Sequence, residues 1–156
     1  MSKRVLFVCL GNICRSPAAE GVFLHLLRES GLESEFEVDS AGTGGWHAGE
    51  QADRRMRAAA QKRGVHLPSL ARQVRPSDFE HFDLILAMDS DNRDSLLSSA
   101  PAAHRHKVRL FREWDSEGRG EDVPDPYYGG PEGFELVLDM VTRCGRALLT
   151  ELQAKS

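Results

Sequence analysis

Two apolar patterns alternate along this 156-residue chain. One is the short uninterrupted run. Val5-Leu6-Phe7-Val8 and Leu84 to Met88 have it, as strands buried on both faces do. Val108 and Leu110 mark a further short strand. Phe36-Glu37-Val38-Asp39-Ser40 alternates and runs into the loop Ala41-Gly42-Thr43-Gly44-Gly45. The other pattern is helical. Ala19, Val22, Phe23, Leu26 and Leu27 fall on one apolar face, with Pro17 in the first turn and Gly31 as the stop. Residues 50–63 read as a helix, with Ala52, Met56, Ala59 and Ala60 on one side and Gly64 ending it. Residues 91–98 read as another. From Pro131, the residues Val137, Met140, Val141, Cys144 and Leu148 predict a closing amphipathic helix. The Gly-, Pro- and acid-rich stretch 115–131 reads as a long loop. Ser2 to Arg4 and Ala154 to Ser156 are expected to fray.

Strands alternating with helices predict an α/β, three-layer fold: a four-stranded parallel sheet with helices on both faces. The length suits a single domain over residues 1–156, and no repeat or linker divides it. Ligands of such sheets bind beyond the carboxyl ends of the strands. Cys9, Ser40 and Asp89 fall at such ends.

The composition is that of a globular chain, 40% hydrophobic and 28% charged. A net charge of −4 gives no general basic footprint for nucleic acid. Of the 20 basic residues 16 are Arg, the side chain whose planar fork matches phosphate. Arg54, Arg55 and Arg57 cluster on one helix, either as solvated charge or to steer acidic phosphopeptides. Three cysteines, an odd number, point to free thiols in a reducing, cytoplasmic setting. The start faintly resembles a signal peptide, but its apolar run is shorter than the roughly 7–15 residues required. No segment approaches the ~20 apolar residues of a membrane span. His104 and His106 lack the companions that a metal site needs.

The chemistry concentrates in Cys9-Leu10-Gly11-Asn12-Ile13-Cys14-Arg15-Ser16-Pro17, between the first strand and the first helix. A phosphate-binding loop after strand 1 is the expectation. Backbone N–H groups of a curled loop and a helix N-terminus can surround a phosphate dianion. Arg15 can grip two of its oxygens. Helix N-termini and neighbouring arginines favour thiolates over thiols, and Ser16 can hydrogen-bond a thiolate. Cys9 alone would read more readily as a small buried residue; its surroundings make it a candidate nucleophile. Ester cleavage also needs a general acid. Asp125 in Val123-Pro124-Asp125-Pro126-Tyr127-Tyr128-Gly129 offers one, stiffened by prolines, although the same stretch also reads as an ordinary solvated turn.

These two motifs, 116 positions apart, together resemble the low-molecular-weight protein tyrosine phosphatase family. The resemblance extends through Asp39-Ser40-Ala41-Gly42, Ala71-Arg72-Gln73-Val74 and Met88-Asp89. It implies hydrolysis of phosphotyrosine through a cysteinyl-phosphate. Cys9 would be the nucleophile, Arg15 the transition-state clamp and Asp125 the acid, then base. Leu10, Gly11, Asn12, Ile13, Cys14 and Ser16 would form the loop, held by a network of Asn12, Ser16 and Ser40. Trp46, Tyr127 and Tyr128 would line the slot for the aromatic ring. The resemblance further implies no metal and no cofactor. The partner would be a tyrosine-phosphorylated protein or a cognate kinase, and the chain a monomer or a weak self-associate. Cys14 would be a redox partner for Cys9, while Cys144 reads as core. Mammalian relatives carry a His near Ser69, with His66 close by here, and a different slot rim near His47.

Three rivals remain on the residues. A thiol-coupled arsenate reductase would share the loop but needs two more relay cysteines, and only Cys144 lies in the second half. A protein-arginine phosphatase would carry Thr at the position of Ile13. A non-catalytic phosphotyrosine-binding module would normally lack the nucleophile or the acid.

Overall fold

The computed structural model describes residues 3–154. Strand β1 (Lys3–Cys9) lies inside the sheet, because Val5 to Val8 offer apolar side chains to both faces. The chain continues through α1 (Arg15–Glu29), β2 (Phe36–Gly42), α2 (Arg54–Gln61), α3 (Pro76–His81), β3 (Leu84–Ala87), α4 (Ser90–Ser99), β4 (Val108–Leu110) and α5 (Pro131–Ala154). The four strands are all parallel, in the order β2-β1-β3-β4. Alternate residues of β1 feed two cores. Val5, Phe7 and Cys9 join the core built with α1, α2 and α5; Leu6 and Val8 join the one built with α3 and α4. Phe7 meets Phe23 and Phe111 edge-on, with ring centres 5.8 and 5.0 Å away. Burying such a ring contributes roughly 1.5–3 kcal/mol.

Helix α1 buries the five apolar residues its periodicity singled out. It ends where expected. Gly31 takes φ 69°, and the N–H groups of Gly31 and Leu32 return to the carbonyls of Arg28 and Leu27 at 3.2 and 2.9 Å. That closure favours a residue without Cβ.

Three sequence expectations need correction, and one helix was not foreseen. The helix read over 50–63 is shorter: Asp53 caps α2 by accepting from Arg55 N at 2.8 Å, and Gln51 instead bridges to Leu70. Helix α3 was not read at all, since six residues are too few to display a period. Lys3 and Arg4 do not fray. They belong to β1, where Arg4 N donates to Asp83 Oδ2 at 2.8 Å, and the Lys3 ammonium reaches the Leu152 carbonyl. Ala154 is the last residue of α5; Ser2, Lys155 and Ser156 lie outside the described residues. Among the described residues, no helix is long and apolar enough to cross a membrane.

Candidate active site

Beyond Cys9 the chain leaves the sheet and curls before α1 begins. Its carbonyls are taken by donors outside the curl. Thr43 N donates to Cys9 O at 2.9 Å, Gly44 N to Leu10 O at 3.0 Å, Asp53 N to Ile13 O at 2.7 Å and Ala18 N to Cys14 O at 3.2 Å. In a trans peptide the C=O and the following N–H point in opposite directions. The N–H groups of Leu10, Gly11, Cys14 and Arg15 therefore point away from those donors. Packing against Gly42 tightens the curl, as a Cβ there would meet Leu10 O at 2.8 Å and Gly44 O at 2.9 Å.

Asn12 fixes the shape from within. It is the one non-glycine among the described residues with positive φ, at 57°, a region that Asn tolerates better than most side chains. Its amide donates to Ser16 Oγ at 2.8 Å and Ser40 Oγ at 3.0 Å, and its Oδ1 accepts from Arg72 N at 3.0 Å. Ser40 then donates to Glu20 Oε1 at 2.6 Å, and Ser69 to Glu20 Oε2 at 2.5 Å. Burial raises the Glu20 carboxyl above its ordinary value, against the hydrogen bonds from Ser40 and Ser69. Ser69 thus meets the network through Glu20, a residue that the sequence reading missed. The signal was a carboxylate among the apolar, buried positions of α1.

Cys9 Sγ lies 3.0 Å from Ser16 Oγ and accepts from Asn12 N at 3.3 Å. Arg15, nearly inaccessible, donates from Nη1 to Asp89 Oδ2 at 2.6 Å and to Val123 O at 3.0 Å; its Nη2 lies 3.7 Å from Asp125 Oδ2. Burial opposes its charge, but Cys9, Asp89 and Asp125 hold its pKa above the usual arginine value. Asp89 has a second task, capping α4 by accepting from Asn92 N at 2.7 Å. Cys14 is buried, and that burial, with the negative charge of Asp53 next in weight, keeps its thiol protonated well beyond neutral pH.

The Asp125 loop is tied down at both ends. Val123 N donates to Met88 O at 2.7 Å. Arg112 reaches Asp122 O at 2.9 Å while pairing with buried Asp115, which Arg143 also holds. Further along, Tyr127 N donates to Asp125 Oδ1 at 3.1 Å. Arg55 Nη2 donates to Tyr127 O at 3.1 Å and the guanidinium stacks 5.3 Å from the Tyr127 ring centre.

Cys9, Leu10, Gly11, Ile13, Cys14, Arg15, Trp46, Asp125, Tyr127 and Tyr128 all line one pocket of about 300 Å³, joined by His47. Asn12, Ser16 and Ser40 lie buried behind it. Trp46 and Tyr128 stand at the mouth, 71% and 93% exposed, so they form a rim rather than a closed wall. His104 and His106 lie on a 3-10 turn, and no cluster of three His, Cys, Asp or Glu side chains among the described residues is placed to hold a metal.

This constellation has counterparts. Residues 4–156 match the family model of low molecular weight phosphotyrosine protein phosphatases. The chain belongs to that family. It is 50% identical to the low molecular weight phosphotyrosine protein phosphatase of Schizosaccharomyces pombe, over 84% of this chain and 85% of that one. It is 47% identical to a low molecular weight protein-tyrosine-phosphatase of Streptomyces coelicolor, over 98% and 95%. A crystal structure of a protein tyrosine phosphatase from Entamoeba histolytica, with Hepes in the active site, superposes with a TM-score of 0.95 at 42% identity, covering 99% of each chain. The protein is therefore a phosphatase of the low molecular weight protein-tyrosine class, as its loop motif and Asp125 motif implied.

Proposed function

We propose that this phosphatase removes phosphate from tyrosine side chains of proteins by way of a cysteinyl-phosphate. One observation carries the reading: the Cys9 thiol, the Arg15 guanidinium and the Asp125 carboxyl line a single pocket. Each step then has a residue. The Cys9 thiolate attacks phosphorus as the bond to the tyrosyl oxygen breaks, and Asp125 hands its proton to the departing phenolate. Arg15 and the loop N–H groups hold the equatorial oxygens, where charge gathers in the transition state. Asp125, now a carboxylate, takes a proton from water. The water oxygen attacks phosphorus, the P–S bond breaks, and the Ser16 hydroxyl donates to the released thiolate.

The aromatic rim favours an aryl ester. Ile13 gives the pocket an apolar lip, suited to a ring more than to a guanidinium. The three free cysteines suit a reducing compartment. Cys14 fits a protective role. When peroxide converts the Cys9 thiolate to a sulfenate, the Cys14 sulfur can displace its oxygen as water and leave a disulfide, which a thiol reductant reverses.

The test is steady-state hydrolysis of matched phosphotyrosine, phosphoserine and phosphoarginine peptides, with EDTA and reductant present. A strong preference for phosphotyrosine is expected. Preference for phosphoarginine, or turnover of none of them, would overturn the reading.

A further inference from the structure

Helix α2 divides its three arginines. Arg55 turns toward the acid loop, where Asp53 holds it at 3.0 and 3.1 Å and Tyr127 O accepts from it. Arg54 and Arg57 stay out of that arrangement. Among the described residues Arg54 has no ion pair or side-chain hydrogen bond, and Arg57 commits only Nε, to Ala52 O at 2.9 Å. Both line a groove that adjoins the phosphate pocket and shares Ile13, His47 and Tyr127 with it.

The two acids of this groove do not neutralise them. Asp53 is bound by Arg55, and Glu50 sits 3.1 Å from His47 Nδ1. Two guanidinium groups with no carboxylate partner among the described residues therefore stand beside the catalytic mouth of a protein whose net charge is −4. Such a local reversal of sign selects anionic neighbours of the substrate rather than anions in general. A phosphotyrosine in the pocket must send its own chain out over the rim, and Ile13, His47 and Tyr127 make one way out run into the groove.

We infer that this groove is a subsite for carboxylate side chains that flank the phosphotyrosine of the substrate, with Arg54 and Arg57 as their partners. The inference deepens the phosphotyrosine reading and rests on it. Arg54 is exposed and Arg57 half-buried, so each contact is a largely screened surface pair, and the pair together should be worth about 3- to 10-fold in kcat/KM.

The experiment uses phosphotyrosine peptides carrying Glu-Glu or Gln-Gln at positions −2/−1, +1/+2 or +3/+4, assayed with wild type and with the double variant Arg54→Gln/Arg57→Gln. In wild type, at least one Glu-Glu peptide should exceed its Gln-Gln twin by that factor, and 0.5 M NaCl should erase the gap. In the double variant the ratio should fall to about one, while the Gln-Gln peptide reports whether the variant is folded and active. Three outcomes would overturn the subsite: no Glu preference in wild type, a preference that survives the double substitution, or equal losses on both peptides. Failure of the parent reading looks different, since wild type would then turn over no phosphotyrosine peptide at all.

Discussion

Arg15 Nη1 stands 2.6 Å from Asp89 Oδ2, a closer ion pair than the 3.7 Å between Arg15 Nη2 and Asp125 Oδ2. With Val123 O on the same nitrogen, that contact sets the plane of the guanidinium and leaves Nη2 facing Asp125. Asp89 therefore orients the Arg15 guanidinium from the end of β3, and its other oxygen is committed to α4.

The two acids near Arg15 should be separable by leaving group. Asp89→Asn should lower kcat/KM by about 10- to 100-fold on phenyl phosphate and on p-nitrophenyl phosphate alike, because it disturbs the clamp that serves every transition state. Asp125→Ala should lose far more on phenyl phosphate, whose poor leaving group needs a proton. A loss concentrated on phenyl phosphate in Asp89→Asn would make Asp89 the acid instead.

Asn12 joins the backbone shape of the loop to the serines around Cys9. Asn12→Ala removes two donors to buried serines and places alanine at φ 57°, so stability should fall by about 1–3 kcal/mol. Asn12→Gly accepts the backbone and removes the same donors. If the side-chain network matters for turnover, both should lose about 10-fold or more in kcat. Chemical denaturation should show the glycine variant to be the more stable of the two. A glycine variant with wild-type kcat would reduce Asn12 to a backbone device.

The long loop depends on a buried charge cluster. Asp115 is fully buried and accepts from Arg112 and Arg143 at 2.9 to 3.1 Å. Burial raises its pKa, but the hydrogen bond from Arg143, with those from Glu117 N and Arg112, outweighs that and lowers it to about 2. An acid held below its unfolded value stabilises the fold above that value and ceases to as pH falls through the folded one. This contribution should therefore be present above about pH 3.8 and lost toward pH 2. Asp115→Asn should cost about 3 kcal/mol at pH 7 in urea unfolding, and the difference from wild type should shrink over that acidic window. A constant difference would contradict the ion-pair account.

Glu20 works in the other direction. Its raised pKa means that the protonated carboxyl suits the folded state, so the stabilisation is full below about pH 4.5 and lost as pH rises through the higher folded value. Glu20→Gln keeps an acceptor for Ser40, turns its amide N–H to the Ser69 hydroxyl in place of the oxygen that accepted from it, and cannot ionise. As pH rises above about 4.5 the Tm of the variant should gain on wild type; a gap independent of pH would show that Glu20 does not titrate with folding.

Much of this was legible in sequence because it is local. The strand, the loop and the start of α1 are contiguous, so Cys9, Arg15 and Ser16 could be read from one string. Asp125 was legible as a residue but not as a neighbour, since the ties that place it run through Val123, Arg112 and Arg55, far apart along the chain. Glu20 was passed over because its partners Ser40 and Ser69 lie 20 and 49 residues away. Asp89 was seen at a strand end, yet nothing in its surroundings announced that Arg15 would turn to it. Helix α3 left a faint mark, Pro76 at its first position and Asp78 accepting from Arg75 N at 2.7 Å, but capping residues without a period do not stand out from a turn.

The most direct test of the covalent mechanism is to look for the intermediate. On the proposed mechanism, Asp125→Ala should keep a fast first step with p-nitrophenyl phosphate, whose leaving group needs little help, while hydrolysis would lack its base. Acid-quenched protein should then carry close to one phosphate per chain, located on Cys9 by peptide mass spectrometry and absent from Asp125→Ala/Cys9→Ser. Phosphate on another residue, or full turnover by an otherwise intact Cys9→Ser protein, would contradict the account.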